Sequence, residues 1–352
     1  MQGNAVDFGF MATGVGSVPF TDITDTCRKI VNHFPGIPFW PQFVKRSLFE
    51  DMSIQYSEGL PLLRVDPKAR SLALSDAVPR ESALAEFYGH FLSPEIDYFK
   101  ISREFAPGLY ALVEAVKTAG DRCGPYIKGQ TVGPVTFTAG ILGLNGNSIL
   151  HDPELSEAMA NGLAIKALWQ ARKLAESGKR PIIFLDEPYL SGFGSAFSPI
   201  GRNEVIDLLR IVMKYLRAHS DTIIGVHCCG NTDWSMVLEA GPDVVNFDAF
   251  EYMDHFLLYP DQIKAFLNQG GSIAWGIAPT ANFSGEETVG QLYSGLEKGL
   301  EFLQKKGASE ATLSTRSMLT PSCGMGTMST DAAEAVMDLL SGLARWMQRG
   351  GK

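Results

Sequence analysis

The feature that most constrains this chain is a repeated alternation of a short apolar run, a loop and an amphipathic stretch, which is typical of β/α units. In the second half the strand candidates lie at residues 181–185, 222–226, 244–247, 272–276 and 311–317. Nearly all of them are continuous runs of apolar or β-branched residues, as expected for parallel strands that are buried on both faces. Helices are predicted between them, for example at residues 203–219 and 287–306.

Weaker strand candidates precede these, at residues 10–14, 38–42 and 126–129, with one more near 59–65. Eight such units build a (β/α)₈ barrel, and a doubly wound open sheet is the alternative that periodicity leaves open. A length of 352 residues suits one barrel with an extension, and no Pro-, Gly- or Ser-rich linker divides the chain. The sequence therefore predicts an α/β fold, a (β/α)₈ TIM barrel with an N-terminal extension, as a single domain over residues 1–352.

Composition narrows the classes of partner and compartment. The net charge of −9 argues against a nucleic-acid partner, which would require a basic surface. No run of about 18 apolar residues is present for a membrane span, and the N-terminal stretch lacks the features of a signal peptide. Five cysteines are an odd and low count that fits a reducing compartment. We expect a cytoplasmic protein without nucleic-acid or membrane partners, and its oligomeric state stays open.

Polar residues are concentrated where the predicted strands end. In a barrel, these positions converge on one face, where the chemistry of such folds takes place. The residues in question are Ser17, Asp186, Glu187, His227, Cys228, Cys229, Asp248, Pro279, Thr280 and Cys323.

The most informative stretch is His227-Cys228-Cys229. Residues two apart on an extended strand point to the same side, so His227 and Cys229 can face the mouth of the barrel while Cys228 faces away. Cys323, after the predicted last strand, can reach the same centre. One imidazole and two thiolates suit Zn²⁺ and leave a position for water or substrate, whereas a structural zinc site would use four closely paired ligands. The alternative is that these residues are buried cysteines and a core histidine.

His227-x-Cys229, together with the Pro-Ser-Cys-Gly sequence at residues 321–324, resembles a known zinc motif. It is that of cobalamin-independent methionine synthase and of the methylcobamide:coenzyme M methyltransferases, both in the uroporphyrinogen decarboxylase/methionine synthase-like superfamily of barrels. Further stretches resemble the catalytic barrel of methionine synthase in the same order, at residues 15–19, 133–136, 185–188 and 243–248. The resemblance covers roughly residues 10–330. The chain lacks room for the extra N-terminal barrel of the long folate-dependent enzymes and is more similar to the short, single-barrel methionine synthases.

The resemblance implies a set of metal ligands. His227, Cys229 and Cys323 take the ligand roles and, with the metal, form the predicted catalytic group. Asp248 falls where the family has a glutamate ligand, so it is the predicted fourth ligand, and Glu251 is a nearby alternative.

The resemblance also implies a substrate site. Ser17 and Asp186 fall where the methionine synthases hold the carboxylate and the amino group of homocysteine. The glutamate that shares the amino group corresponds to Gln55, and a neutral glutamine would hold an ammonium group less strongly. Glu187, next to Asp186, completes the predicted substrate-binding residues, although an acidic pair before a proline could also cap the following loop or helix.

The implied activity is a zinc-dependent transfer of a methyl group to a thiol, most simply homocysteine, giving methionine. A free thiol has a pKa of about 8.5 and is mostly protonated at neutral pH, whereas a zinc-bound thiol is deprotonated and can attack a methyl group. The single-barrel relatives imply a methylcorrinoid donor, either methylcobalamin or a corrinoid protein. A methyl-folate is the alternative donor.

Three alternatives remain at this point. A coenzyme M-type methyltransferase needs a cation for a sulfonate, and Arg316, on the predicted last strand, is the candidate. A metal-free decarboxylase of the uroporphyrinogen type needs an arginine cluster, which is not obvious in the N-terminal region. A non-enzymatic corrinoid- or metal-binding partner in a methyl-transfer complex would show no turnover with methylcobalamin and a panel of thiols.

Overall fold

The computed structural model describes residues 6–93, 95–195 and 199–350 of the chain. Within these residues, seven parallel strands form one sheet in the order β1-β9-β8-β7-β6-β5-β4, and β2 and β3 form a separate antiparallel hairpin. The strands are β1 (Met11–Ala12), β2 (Leu63–Asp66), β3 (Ser71–Leu74), β4 (Tyr126–Val132), β5 (Arg180–Asp186), β6 (Ile223–Cys228), β7 (Val244–Phe247), β8 (Ser272–Ala278) and β9 (Ser317–Pro321).

Helices lie between the strands of the parallel sheet and pack on its outer face. They are α1 (Ile23–His33), α2 (Arg80–Phe91), α3 (Pro107–Ala119), α4 (Pro134–Ala139), α5 (Pro153–Ala175), α6 (Arg202–His219), α7 (Trp234–Ala240), α8 (Ala249–Phe256), α9 (Pro260–Asn268), α10 (Val289–Lys305), α11 (Glu310–Thr315) and α12 (Thr330–Gln348). None of the helices in the described part of the chain has both the length and the apolar composition to cross a membrane.

The two faces of each parallel strand are buried in different apolar layers. One layer, on the inner face of the curled sheet, contains Ile182 and Phe184 of β5 together with Ile223 of β6 and Val244 of β7. The residues that alternate with these pack with the helices in the second layer. This double burial explains why the strands are continuous apolar runs in the sequence.

The two edges of the sheet are joined by residues 38–42, which we call the bridging segment. Phe39 pairs with Lys128 of β4, and Gln42 pairs with Ser17, which follows β1. The backbone N–H of Trp40 donates to the Lys128 carbonyl at 3.1 Å, and that of Gln42 donates to the Gly16 carbonyl at 3.0 Å. The bridging segment was predicted as a strand, and it makes these isolated bridges with both edges instead of a continuous ladder.

The predicted α/β fold is confirmed as a curled parallel sheet of seven strands in the described residues. The strands predicted at residues 181–185, 222–226, 244–247 and 272–276 correspond to β5 to β8. The strand predicted at residues 311–317 is wrong. The side chain of Ser309 accepts a hydrogen bond from the Thr312 N–H and thereby begins helix α11, so the last strand starts only at Ser317.

The strand candidate near residues 59–65 also has a different place from the one expected. It overlaps β2, which pairs with β3 and not with the parallel sheet. Alternation alone could not separate a strand of the main sheet from one arm of a surface hairpin.

Candidate metal centre

One imidazole and two thiols meet at the carboxyl ends of β6 and β9. One ring nitrogen of His227 and the sulfur atoms of Cys229 and Cys323 all lie within 4.8 Å of one another. Cys228, between the first two, is fully buried among the residues of the outer apolar layer, and its thiol faces the Gly230 carbonyl at 3.5 Å. As predicted from the sequence, His227 and Cys229 therefore face the same centre at this strand end, and Cys228 faces away from it.

The chemistry of these residues fits a zinc ion. His227 is only 2% exposed, and neither of its ring nitrogens has a hydrogen-bond partner among the described residues. An unpartnered buried imidazole is costly, and a metal ion would satisfy one of its nitrogens. Zinc binds sulfur at about 2.3 Å and histidine nitrogen at about 2.0–2.1 Å, so ligand atoms on one ion lie roughly 3.5–4 Å apart. The observed spacing requires only a small movement of side chains.

The electrostatics of the three residues favour a thiolate. The neighbouring Cys323 thiol, which can donate to a thiolate, lowers the pKa of Cys229, and the charge of His227 acts in the same direction. The Cys229 thiolate in turn raises the pKa of Cys323. Burial opposes the charge on His227, but Cys229 and Asp186 more than offset it and raise the pKa of the imidazole.

Asp186 is the last residue of β5 and lies opposite His227 in the register of β5 and β6. It is 8% exposed, and its Oδ1 atom has no hydrogen-bond partner among the described residues. Burial raises the pKa of this carboxyl group to about 6, although His227 and Lys128 favour the charged form. Asp186 therefore carries a free acceptor beside the candidate ligands.

Lys128 is a buried cation near this site that the sequence analysis did not single out. Its Nζ donates to the Val15 carbonyl at 2.6 Å and lies 4.6 Å from the centroid of the Phe184 ring. Burial lowers the pKa of Lys128 to about 8, and the charge of Asp186 opposes this effect. A lysine inside an otherwise apolar strand candidate was the signal that could have revealed it.

Ser17 lies against the loop that carries Cys323. Its Oγ accepts a hydrogen bond from the Gly326 N–H at 3.3 Å, and its carbonyl accepts one from the Met325 N–H at 2.9 Å. The structure thus brings Ser17, a predicted substrate-binding residue, against the loop that carries Cys323, one of the predicted metal ligands.

Glu187 is fully buried, and its carboxylate oxygens bind the amino end of α4. They accept hydrogen bonds from the Val135 N–H at 2.9 Å, the Thr136 N–H at 2.7 Å and the Thr136 hydroxyl at 2.6 Å. Burial raises the pKa of Glu187 to about 7, against these hydrogen bonds. The contacts place Glu187 in the support of the 133–136 segment, and its predicted contact with substrate stays a prediction.

Gln55 is fully buried, and both ends of its side-chain amide have partners. Its oxygen accepts from the Gln42 side chain, and its nitrogen donates to the Phe105 carbonyl at 2.6 Å. These bonds fix the bridging segment to the chain near residue 105. A substrate contact of Gln55 likewise remains a prediction.

The candidates for a fourth ligand lie outside the group of close ligand atoms found in the described residues. Asp248 begins helix α8, and its side chain accepts from the Glu251 N–H at 2.9 Å. Burial raises the pKa of Asp248 to about 6. Glu251 is exposed, and its carboxylate accepts from the Asn282 side chain at 3.0 Å.

Arg316 does not lie near the metal centre, so its predicted place was wrong. It immediately precedes β9, at the opposite end of the strand from Cys323, and its guanidinium donates to the Gly270 carbonyl at 2.9 Å. The error follows from the misplaced last strand, because a strand at residues 311–317 would have put Arg316 near its carboxyl end.

Comparison with known proteins supports the fold. No family model matches the sequence, and no curated protein sequence matches it. A solved structure of a B12-independent methionine synthase from Shewanella sp. W3-18-1, in complex with selenomethionine, is similar to this chain, with a TM-score of 0.56 at 14% sequence identity. The match covers 97% of this chain and 98% of that chain. The predicted resemblance is therefore confirmed as a likeness of fold over nearly the full length.

Proposed function

We propose that this chain is a zinc-dependent methyltransferase that acts on a thiol. The observation that carries the proposal is the group of His227, Cys229 and Cys323, whose ligand atoms lie within 4.8 Å of one another. The group lies at the carboxyl ends of the strands in a chain with the fold of a methionine synthase. In sheets of this type, these ends are where active sites are found.

We also propose that the chain forms a closed barrel in a single domain. Residues 38–42 bridge both edges of the sheet, and we assign them as the eighth strand position of a closed (β/α)₈ barrel. We assign residues 1–352 to a single domain, because the strands at both edges belong to the same sheet.

In the proposed reaction the chain supplies three donors and leaves room for the substrate. Bound Zn²⁺ would supply the charge that keeps an incoming thiol deprotonated at neutral pH. His227 is a neutral donor, and Cys229 and Cys323 are anionic donors that keep a coordinated sulfur electron-rich. Before the substrate binds, Asp248 would be the fourth zinc ligand. Its side chain would then have to release the Glu251 N–H at the start of α8.

We propose homocysteine as the thiol. The unpartnered Oδ1 of Asp186 is suited to an ammonium group, and the hydroxyl of Ser17 is suited to a carboxylate. Glu187 and Gln55 would support these residues from behind, through α4 and the bridging segment. Coenzyme M is less well suited, because Arg316, the cation considered for its sulfonate, lies at the other end of β9.

The methyl donor is proposed from resemblance. The single-barrel enzymes that the sequence resembles imply a methylcorrinoid, either free or on a partner protein. The matched structure is described as a B12-independent enzyme, so a methyl-folate must be tested beside it.

The test is a turnover assay on the purified, zinc-loaded chain. Methylcobalamin and methyl-folate would each be offered with homocysteine, coenzyme M and a thiol of the same length as homocysteine without its amino group. We expect methionine from homocysteine with at least one donor, and loss of product in Cys229→Ser but not in the matched control Cys228→Ser. Equal turnover in Cys229→Ser, or no methylated thiol with any donor, would contradict the proposal.

A further inference from the structure

His227 has two polar neighbours in register on the strands beside it. Asp186 of β5 is its partner on one side, and Asn246 of β7 is its partner on the other. Neighbouring strands in a sheet are about 4.7–4.9 Å apart, so side chains on the same face at these positions lie side by side.

All three side chains point to the inner face of the sheet. Phe184, Ile223 and Val244 belong to the inner apolar layer. Asp186 lies two residues after Phe184, His227 four residues after Ile223, and Asn246 two residues after Val244, and an even spacing keeps a side chain on the same face. Asp186, His227 and Asn246 therefore form one row across the inner face.

The row contains donors and acceptors that the protein itself leaves unsatisfied. Both ring nitrogens of His227, the Oδ1 of Asp186 and the Oδ1 of Asn246 are buried without a hydrogen-bond partner among the described residues. Buried polar groups in native proteins are rarely left in this state. A metal ion at one ring nitrogen of His227 would leave the other with a proton to donate.

The orientation of the Asn246 amide is fixed by its other end. Its Nδ2 donates to the Ala274 carbonyl at 2.9 Å and to the Thr320 hydroxyl at 2.8 Å. The Ala274 carbonyl can only accept, so a flipped amide would place two acceptors against each other. The amide nitrogen therefore faces β8 and β9, and the amide oxygen faces the other side, where His227 lies.

We propose that Asn246 is a positioning residue of the metal centre, whose Oδ1 accepts the N–H of the His227 ring nitrogen that does not bind the metal. This inference rests on the proposed function. Metal-binding histidines nearly always donate their second ring N–H to such an acceptor, which fixes the tautomer and the direction of the ring. The assignment leaves the Oδ1 of Asp186 free for the substrate, because one ring N–H cannot serve both neighbours.

The test is zinc affinity, measured by competition with a chromogenic chelator on the full chain. Loss of an outer-shell partner typically costs about 10–100-fold in metal affinity, and we expect a loss of this size in Asn246→Leu. Asn246→Asp keeps an oxygen beside His227 but loses the hydrogen bond to the Ala274 carbonyl, so it should lose less zinc affinity than Asn246→Leu. Gln170→Leu is the matched control, because Gln170 is a fully buried amide that bonds to Trp40 and to the Gln130 carbonyl. It should leave zinc affinity unchanged.

A second measurement covers the case in which Asn246→Leu does not fold. Nitrogen-15 NMR of the histidine rings in the zinc-loaded chain should show one protonated His227 nitrogen that exchanges slowly with solvent, also in Asp186→Leu, which has no acceptor at this position. Loss of this slow exchange in Asp186→Leu would make Asp186 the acceptor and overturn the inference, as would an Asn246→Leu variant that binds zinc as tightly as the unchanged chain. If Cys229→Ser retains full zinc affinity, the proposed function and this inference fall together.

Discussion

The hydroxyl oxygen of Ser17 occupies the space next to Gly324, so that a Cβ added to this glycine would lie 2.2 Å from it. Gly324 directly follows Cys323, and Ser17 follows the first strand of the sheet. The contact therefore joins a predicted substrate residue to the loop of a candidate metal ligand, and it depends on the absence of a side chain at residue 324.

This contact predicts coupling between the two positions. Gly324→Ala should displace the Cys323 loop and lower the free energy of unfolding by about 1–3 kcal/mol, because overpacking usually destabilises a fold by this amount. It should also weaken zinc binding. In the background Ser17→Ala the nearest Ser17 side-chain atom would be the Cβ at 3.4 Å, which is an ordinary contact. Chelator competition on both single variants and the double variant checks this, and strictly additive effects would contradict it.

We predict that substitution of Asp186 raises the KM selectively for thiols that carry an amino group. A hydrogen bond to a charged group contributes about 1.5–3 kcal/mol, so Asp186→Asn should raise the KM for homocysteine by about tenfold to a hundredfold. The KM of a thiol that lacks the amino group should change little. Steady-state kinetics on the two thiols test this, and an equal rise in both KM values would rule out the assigned contact.

Glu187 predicts a loss of stability that does not depend on substrate. Glu187→Ala would remove the acceptor of the Val135 and Thr136 N–H groups, and each buried donor left unpaired costs about 1–3 kcal/mol. The free energy of unfolding from urea titration should fall accordingly. A variant as stable as the unchanged chain would show that these donors find other partners.

We predict that replacing Lys166 with an apolar residue increases the stability of the fold. It lies fully buried in α5, its Nζ donates to the Phe99 carbonyl at 3.3 Å, and burial lowers its pKa to about 7. Between that pKa and the value of an exposed lysine, the unfolded chain binds a proton that the folded chain does not, so this residue makes stability rise with pH. Lys166→Met should raise the melting temperature at pH 7 and raise it less at pH 10. The opposite pH trend would refute this account.

The sequence predicted those parts of the fold that depend on local pattern. Residues 181–185 are apolar on both faces, and the sheet buries both faces, so this strand was recognised. The strand Ser317–Pro321 contains serine, threonine and proline, whereas residues 310–315 include β-branched threonines that resemble a strand. The N-terminal cap at Ser309 decided in favour of a helix.

Other parts of the site depend on contacts between distant segments. The pair His227 and Cys229 could be predicted, because both lie on one strand end and alternation fixes their direction. The place of Asn246 could not, because it comes from strand register, which puts this residue beside His227 of the neighbouring strand. A lysine at residue 128 is visible in the sequence of its strand, but its interaction with the charge of Asp186 arises only in the folded chain. Gln55 was placed by resemblance alone, and its bonds to Gln42 and Phe105 depend on the bridging segment.

The most direct test of the account is X-ray absorption at the zinc edge, with and without homocysteine. We predict a shell with one histidine nitrogen and two sulfur atoms, from Cys229 and Cys323, that gains one sulfur when homocysteine is added. The Cys228→Ser control should give the same result, and Cys229→Ser should lose a sulfur from the resting shell. A sulfur count that stays the same after homocysteine is added, or a resting shell without sulfur, would contradict the central claim.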